Sequence, residues 1–163
     1  MINWPRRDKI ISRAFAKATV GGVDDAITLL RRAALASDPQ GERAEAMGFI
    51  LFQHSRFEES AAAFRQSLVA QPTHMTRHYY LAYALARASK WDAAMQDLDQ
   101  AASLSPDDIC PLCARCLLLT EKGEIPAARD CYDKAARLAA DKPSAQSAYG
   151  SGLLQQCAQS LGS

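Results

Sequence analysis

The sequence has almost no net charge and no long apolar run. Its 163 residues include 19 Lys and Arg against 18 Asp and Glu, a formal net charge of +1. The chain therefore lacks the basic excess of a dedicated nucleic-acid-binding domain. No uninterrupted apolar stretch reaches the roughly 20 residues of a membrane-spanning helix, so we expect no stable membrane insertion. Residues Met1–Arg7 lack the apolar core of a signal peptide, and we expect a cytoplasmic protein.

Aromatic residues and glycines are also few. Aromatic residues make up 7% of the chain and glycine occurs eight times, while much of the 48% hydrophobic fraction is alanine. This composition suits closely packed helices. No segment alternates polar and apolar residues over the length of a strand, so no β-sheet is predicted. Because the length is enough for one domain, we predict a single all-α domain over residues 1–163.

Motifs that carry catalytic chemistry are missing. The sequence shows no glycine-rich phosphate loop and no Ser, His and Asp in a catalytic order. The histidines His54, His74 and His78 show no ligand spacing, and we expect them in turns and at the surface. The carboxylate pair Glu58-Glu59 falls in the first turn of a predicted helix, where the helix dipole explains it. We therefore predict no catalytic residue, no cofactor and no enzymatic activity.

The five cysteines are an odd number without secretory context, which predicts reduced thiols. Cys110, Cys113 and Cys116 form a C-x-x-C-x-x-C run, to which Cys131 could add a fourth thiolate for an iron–sulfur cluster or zinc. The run nevertheless falls inside a predicted helix, where cysteine packs as a small hydrophobic residue. A metal site and simple packing are both compatible with the residues. We adopt packing and predict no metal ligand.

A 34-residue pattern recurs along the chain, most clearly at residues 75–108. Two amphipathic helices joined by a tight turn are predicted there. Their apolar stripes are Leu81, Ala82 and Leu85 in the first helix and Ala94, Leu98 and Ala101 in the second. Pro106 ends the second helix. Trp91 begins it, and we expect this ring to fill core space beside Leu98.

Equivalent residues occur 34 positions before and after this copy. The matched sets are Phe57, Trp91 and Ile125; Ser60, Ala94 and Ala128; and Phe64, Leu98 and Tyr132. A period of this length, with small residues at close contacts, resembles the tetratricopeptide repeat. The register predicts repeats at 41–74, 75–108 and 109–142 and a weaker one at 7–40. The resemblance implies a right-handed superhelix of helix–turn–helix units.

The stretch after Pro143 contains no charged residue. Its apolar residues recur every four positions, at Ala145, Tyr149, Leu153, Cys157 and Leu161. Because terminal repeats need a cap, we predict a C-terminal capping helix at about 144–161. Gly150 and Gly152 weaken this helix, and we expect its end to fray.

In stacked helix pairs, the first helix of each pair lines the inner face. The predicted groove residues are Glu45, Phe49, Phe52, Gln53, Tyr79, Tyr83, Arg87 and Leu117, with Cys113, Thr120 and Glu121 on the same face. Contiguous exposed aromatic surface marks a binding site. Tyrosine also combines an apolar ring with a polar tip. We predict a peptide-binding groove, the alternative being that some of these rings only pack between repeats.

Residues from about 44 to 143 resemble the class II chaperones of bacterial type III secretion. The resemblance lies in Phe49 and Phe52 before Arg56-Phe57-Glu58-Glu59, in LLTEKGE at 118–124 and in LAADKP at 138–143. These small helical proteins hold translocator subunits in the cytoplasm, so the resemblance implies a client segment bound to the groove aromatics. The family begins with a shorter dimerising helix. Whether 7–40 is a full repeat or an element of a homodimer therefore stays open.

Two functions follow from these observations. The favoured one is a cytoplasmic chaperone that holds an extended apolar segment of a type III secretion translocator or another client. Gln53 and Arg87 would then bind the client backbone, and the groove aromatics its side chains. The alternative is a general repeat scaffold or adaptor in assembly of a bacterial envelope or secretion complex, which uses its outer surface instead.

Overall fold

The computed structural model describes residues 8–143 and 147–162. Within these ranges the chain forms nine α-helices and no strand, which confirms the all-α prediction. The helices are α1 Lys9–Thr19, α2 Val23–Ala36, α3 Glu42–Gln53, α4 Phe57–Ala70, α5 Met75–Arg87, α6 Trp91–Leu104, α7 Cys110–Lys122, α8 Ile125–Asp141 and α9 Ala148–Ser160. Residues 1–7, which include the first position of the predicted repeat at 7–40, and Ala145 of the predicted capping helix lie outside the described residues. No helix in the described ranges has the length and apolarity needed to cross a membrane.

Helices α1 to α8 form four helix–turn–helix pairs, as the 34-residue pattern predicts. The first pair, α1 and α2, lies within 7–40, so this segment contains both helices of a repeat. Helix α9 contacts α7 and α8, which confirms a helical cap at the C-terminal end. The chain divides into two compact units, the first ending at Pro72 and the second beginning at Thr73.

The four pairs share one turn geometry. Residues in the left-handed region recur every 34 positions: Gly21, Ser55, Ser89 and Gly123, with φ of 89°, 60°, 60° and 84°. In each turn, the backbone N–H of the residue that follows donates a hydrogen bond of 2.8–3.0 Å to the carbonyl five residues before it. The four bonds are Gly22 to Lys17, Arg56 to Leu51, Lys90 to Leu85 and Glu124 to Leu119. These bonds satisfy carbonyls that the end of the first helix leaves open. The left-handed conformation costs serine roughly 1–2 kcal/mol, whereas glycine adopts it without this cost.

In the first unit, α3 and α4 approach most closely at Gly48. A Cβ at this position would lie 2.9 Å from Cζ of Phe64, whose ring is fully buried. The buried hydroxyl of Ser60 donates to the Gly48 carbonyl at 2.8 Å. The absence of a side chain at Gly48 therefore lets the Phe64 ring lie against the backbone of α3.

Asp8 caps α1 and connects it to α3. Its Oδ1 accepts from the backbone N–H of Ile10 at 2.8 Å, and its Oδ2 accepts from Nε of Arg43 at 3.0 Å. Burial alone would raise the pKa of Asp8, but the backbone donors and Arg43 outweigh it and lower the pKa. The carboxylate is therefore held in its charged form at the start of the helix.

In the second unit, the core is rich in thiols. All five cysteines are buried, and they pack with Ile109, Leu119 and Leu153 in one cluster drawn from α7, α8 and α9. Leu98 is buried as predicted, but Trp91 is only half-buried and lines a cavity. The expectation that Trp91 fills the core is corrected accordingly.

Candidate functional site

The predicted groove residues of the first unit all lie on α3, but two of them are in the core. Glu45 and Phe49 are only 8% and 7% exposed, so the expectation that both line an open surface is wrong. The Phe49 ring packs edge-on against Phe64, with ring centroids 5.1 Å apart. The reason is the approach at Gly48, which brings the Phe64 ring against the neighbouring residue.

The other two residues of this set remain near the surface of the first unit. Phe52 is half-buried, with its ring 5.4 Å from that of Phe57. Gln53, the last residue of α3, is exposed. The accessible part of the predicted surface in this unit is therefore the C-terminal end of α3.

The predicted residues of the second unit do come together on α5 and α7. The rings of Tyr79 and Tyr83 are stacked, 6.0 Å apart with 12° between their planes. The Tyr83 hydroxyl on α5 donates to Oε1 of Glu121 on α7. Leu117 lies one turn before Glu121 and is half-buried. We call this surface, formed by Tyr79, Tyr83, Leu117 and Glu121, the tyrosine face.

The tyrosine face is polar at its edge and apolar along its middle. Burial and the bond to Glu121 raise the pKa of Tyr83, so its hydroxyl stays a donor at neutral pH. Arg87, the last residue of α5, is exposed beyond Tyr83. The face therefore offers stacked rings for apolar groups, with a cation and a carboxylate beside them.

Helix α9 covers the other end of this face. The Tyr79 ring lies 6.0 Å from that of Tyr149 on α9, in an edge-on arrangement. Cys113, which we predicted to share the groove, is fully buried, and its carbonyl accepts from Sγ of Cys157 at 3.3 Å. The expectation that Cys113 lines an open groove is therefore wrong. That the residues of both units line one groove stays a prediction.

The close fit of α9 could have been read from the sequence. Gly150 continues the small-residue position of Gly48, Ala82 and Cys116, and Leu153 continues Leu51, Leu85 and Leu119. A Cβ on Gly150 would lie 3.1 Å from Cγ1 of Ile109 and 3.2 Å from Sγ of Cys110. The start of α9 thus packs closely on Ile109 and Cys110, at the start of α7, because Gly150 has no side chain.

The cysteines are placed for packing. Among the described residues, no group of three or more His, Cys, Asp or Glu side chains is arranged to hold a metal ion. Burial raises the pKa of Cys110 to about 12. Hydrogen bonding to Cys113 raises the pKa of Cys157 to about 12, and hydrogen bonding to Cys157 raises that of Cys116. These thiols are therefore protonated at neutral pH, a state in which cysteine is a weak nucleophile.

His78 departs from the expected surface role. It is 4% exposed on α5, and its Nδ1 lies 3.0 Å from Oδ1 of Asp97 on α6. The imidazole and carboxylate thus join the two helices of this pair. Residue spacing alone did not indicate this contact, because the partners lie 19 residues apart.

A cavity of about 430 Å³ lies among α6, α7 and α8. Apolar side chains in its lining include Trp91, Met95, Leu112 and Leu119. Lys122 lies 5.9 Å from the centre of the Trp91 ring and forms an ion pair with Glu124 at 2.6 Å. The cavity thus has an aromatic wall and a charged rim.

Comparison with known proteins supports the repeat fold. Residues 45–109 match the family model described as tetratricopeptide repeat. No curated protein sequence matches the chain. The fold is similar to a crystal structure of MamA, with a TM-score of 0.61 and 18% identity over 83% of this chain and 79% of that chain. It is also similar to a tetratricopeptide repeat protein from Parabacteroides merdae ATCC 43184, with a TM-score of 0.63 and 12% identity over 94% and 58%.

A third similar structure is the first TPR of Spaghetti (RPAP3) bound to the HSP90 peptide SRMEEVD. It has a TM-score of 0.51 and 17% identity over 76% of this chain and 94% of that chain. At such identities the likeness concerns the fold. Together with the 34-residue register and the helix pairs, these matches show that the chain has the fold of a tetratricopeptide repeat protein.

Proposed function

We propose that this protein is a protein-binding repeat module whose tyrosine face holds a segment of a client protein. The observation that carries the proposal is the stack of Tyr79 and Tyr83, whose polar edge is held by Glu121. Tyr83 is only half-buried, so part of its ring remains accessible. Rigid, half-exposed aromatic rings provide contact area at a small cost in conformational entropy.

The chemistry of the face suits a peptide with apolar side chains. The rings accept aliphatic or aromatic groups, and exposed Arg87 can donate to backbone carbonyls or a carboxylate. A structure of similar fold, the Spaghetti domain, is bound to a peptide, which is consistent with this use of the fold. In the first unit we propose Phe52 and Gln53 as a separate contact for the client.

The finer proposal is that the client is a secreted, membrane-active protein such as a type III secretion translocator. The protein would then act in the cytoplasm as a chaperone that covers an apolar client segment until export. The resemblance at residues 44–143 supports this proposal. Co-expression with the product of a neighbouring gene is the direct test, since a chaperone should keep that client soluble and form a complex with it.

The cavity among α6, α7 and α8 favours a second candidate, a scaffold that binds partners away from the tyrosine face. A half-exposed tryptophan in a depression with a charged rim is typical of an anchoring contact in protein interfaces. Such a scaffold would use Trp91 and leave Tyr79 and Tyr83 without a role in binding.

One experiment separates the two candidates. Peptides are selected from a displayed library on the immobilised full chain, and their affinities are measured by fluorescence anisotropy. We expect Tyr83→Ala to weaken binding at least tenfold, as replacement of a central anchor does. Arg87→Ala should weaken binding less, and Arg137→Ala, an exposed arginine on α8, should leave it unchanged. Binding that survives Tyr83→Ala and is lost in Trp91→Ala would favour the scaffold.

A further inference from the structure

Helix α9 occupies part of the surface to which the proposed function assigns the client. Tyr79 and Cys113 are equivalent residues, 34 positions apart on the first helices of two repeats. Both are contacted from α9, Tyr79 by the Tyr149 ring and the Cys113 carbonyl by the Cys157 thiol. The remaining part of the face, around Tyr83 and Leu117, is only half-buried.

The composition of α9 differs from that of the eight helices before it. Its sequence, AYGSGLLQQCAQS, contains no charged residue. Leu153 and Cys157 are buried side chains of this helix. Gly150 adds a close backbone contact. Gly150 and Gly152 lower its intrinsic helix stability. The described contacts that hold α9 are therefore its apolar stripe, the hydrogen bond from Sγ of Cys157 to the Cys113 carbonyl, and one from Arg129 to the Leu161 carbonyl just past its end.

We infer that α9 is a displaceable internal occupant of the tyrosine face, and that the client displaces it with an uncharged amphipathic helix of similar chemistry. The occupant observed in the structure defines this partner: an aromatic ring, a leucine and a small side chain at four-residue spacing, as in Tyr149, Leu153 and Cys157. This inference rests on the proposed function and adds a competitor to it. Because only chains with α9 displaced can bind at Tyr79, the apparent affinity of the parent is reduced by the open fraction.

Two glycines of α9 provide a matched pair of variants. A side chain at Gly150 would collide with Ile109 and Cys110, whereas nothing lies within 4 Å of a Cβ on Gly152. Gly150→Leu should therefore displace α9, while Gly152→Leu makes the same chemical change on the same helix without a collision. Leu153→Ala, which removes a buried side chain, is a second opening variant in case Gly150→Leu does not fold.

The probe is a fluorescein-labelled peptide of residues 147–162, added to the full-length chain under reducing conditions. Opening is measured independently as alkylation of Cys113 and Cys116, which are fully buried beside α9 in the parent. We expect Gly150→Leu to expose both thiols and to bind the peptide at least tenfold more tightly than the parent. Gly152→Leu should match the parent in both measurements.

Two results would overturn the inference. Exposed thiols with unchanged peptide affinity in either opening variant would show that an emptied face does not bind this chemistry. Protected thiols in both folded variants would show that α9 is a fixed part of the core. A library peptide whose binding depends on Tyr83 but is no tighter in Gly150→Leu would leave the proposed function standing and remove α9 as its competitor.

Discussion

The two units use the same helix pairs but different side-chain chemistry. The first, ending at Pro72, contains all five phenylalanines of the chain, whereas the second contains all five tyrosines and all five cysteines. In the first unit a buried ring, Phe64, lies against a glycine. In the second, small thiols fill the core and four of the five tyrosines lie on α5 and α9. The repeat thus determines where helices lie, and the choice of aromatic residue determines which unit offers a polar-tipped surface.

The largest expected difference between the units concerns one equivalent position. Phe64→Ala should lower the free energy of unfolding by about 3–5 kcal/mol, because the ring is fully buried. Tyr132, its counterpart 68 residues later in the register, is half-buried, so Tyr132→Ala should cost roughly half as much. Urea melts of both variants measure this, and equal losses would contradict the contrast between a closed ring core and a thiol core.

The next largest difference concerns the stability that each unit loses at alkaline pH. The ordinary thiol pKa of 9.0 is raised to about 12 in Cys110 and Cys157. The stability that these thiols contribute is fully present below about pH 9 and is lost as pH rises toward 12, because the unfolded chain ionises first. At pH 10.5 we expect a loss of the order of 1–2 kcal/mol per thiol. The first unit has neither Cys nor Tyr and should lose less.

Single-tryptophan reporters can follow each unit in these alkaline melts. Trp91 reports on the second unit in a Trp4→Phe background, and Phe57→Trp reports on the first in a chain without Trp4 and Trp91. A midpoint that falls equally in both reporters between pH 7.5 and pH 10.5 would contradict the assignment of the effect to the second unit.

The close approach at Gly48 gives a smaller effect. Gly48→Ala should destabilise by about 1–3 kcal/mol, because the new Cβ meets the Phe64 ring. In a Phe64→Leu background the same substitution should cost much less, and the double-mutant cycle isolates the contact. Gly152→Ala has no neighbour to meet and should stabilise by up to about 1 kcal/mol. Equal costs of Gly48→Ala in both backgrounds would show that the ring is not the obstacle.

The smallest prediction concerns a feature that both units share. Ser55 and Ser89 hold left-handed backbone where Gly21 and Gly123 stand in the other two turns. Ser89→Gly should stabilise by about 1 kcal/mol, since glycine adopts this conformation without the Cβ conflict. Ala62→Gly, an exposed position within α4, should destabilise by a similar amount. Thermal melts that show Ser89→Gly as destabilising would contradict the shared turn.

Most of the fold could be predicted from the 34-residue register. Small residues at Ala82 and Ala94 and proline at Pro106 indicated α5 and α6 within a few residues of their observed ends. The register depends on local helix periodicity and close contacts, which a single sequence displays directly. The tyrosine stack on α5 follows from the same periodicity, since Tyr79 and Tyr83 are one turn apart.

The features of the candidate site that could not be predicted depend on how neighbouring rings pack against one another. Phe49 occupies the same register position as Tyr83 and Leu117, yet it is buried, because Gly48 admits the Phe64 ring beside it. The repeat register predicts the direction in which a side chain points, but it does not predict whether a large neighbouring ring will cover it. The contact between Tyr149 and Tyr79 was likewise not predictable, because the four-residue stripe of α9 indicates its buried face but not the ring that this face meets.

Hydrogen exchange on the full chain, with and without a library-selected peptide, tests the central claim most directly. If the tyrosine face binds and α9 competes, bound peptide should slow exchange in residues 79–87 and 113–122. It should also speed exchange in Ala148–Ser160, because displaced α9 loses its packing. Slowed exchange confined to the cavity segments of α6 and α8, with α9 unchanged, would contradict the account and place the partner at Trp91.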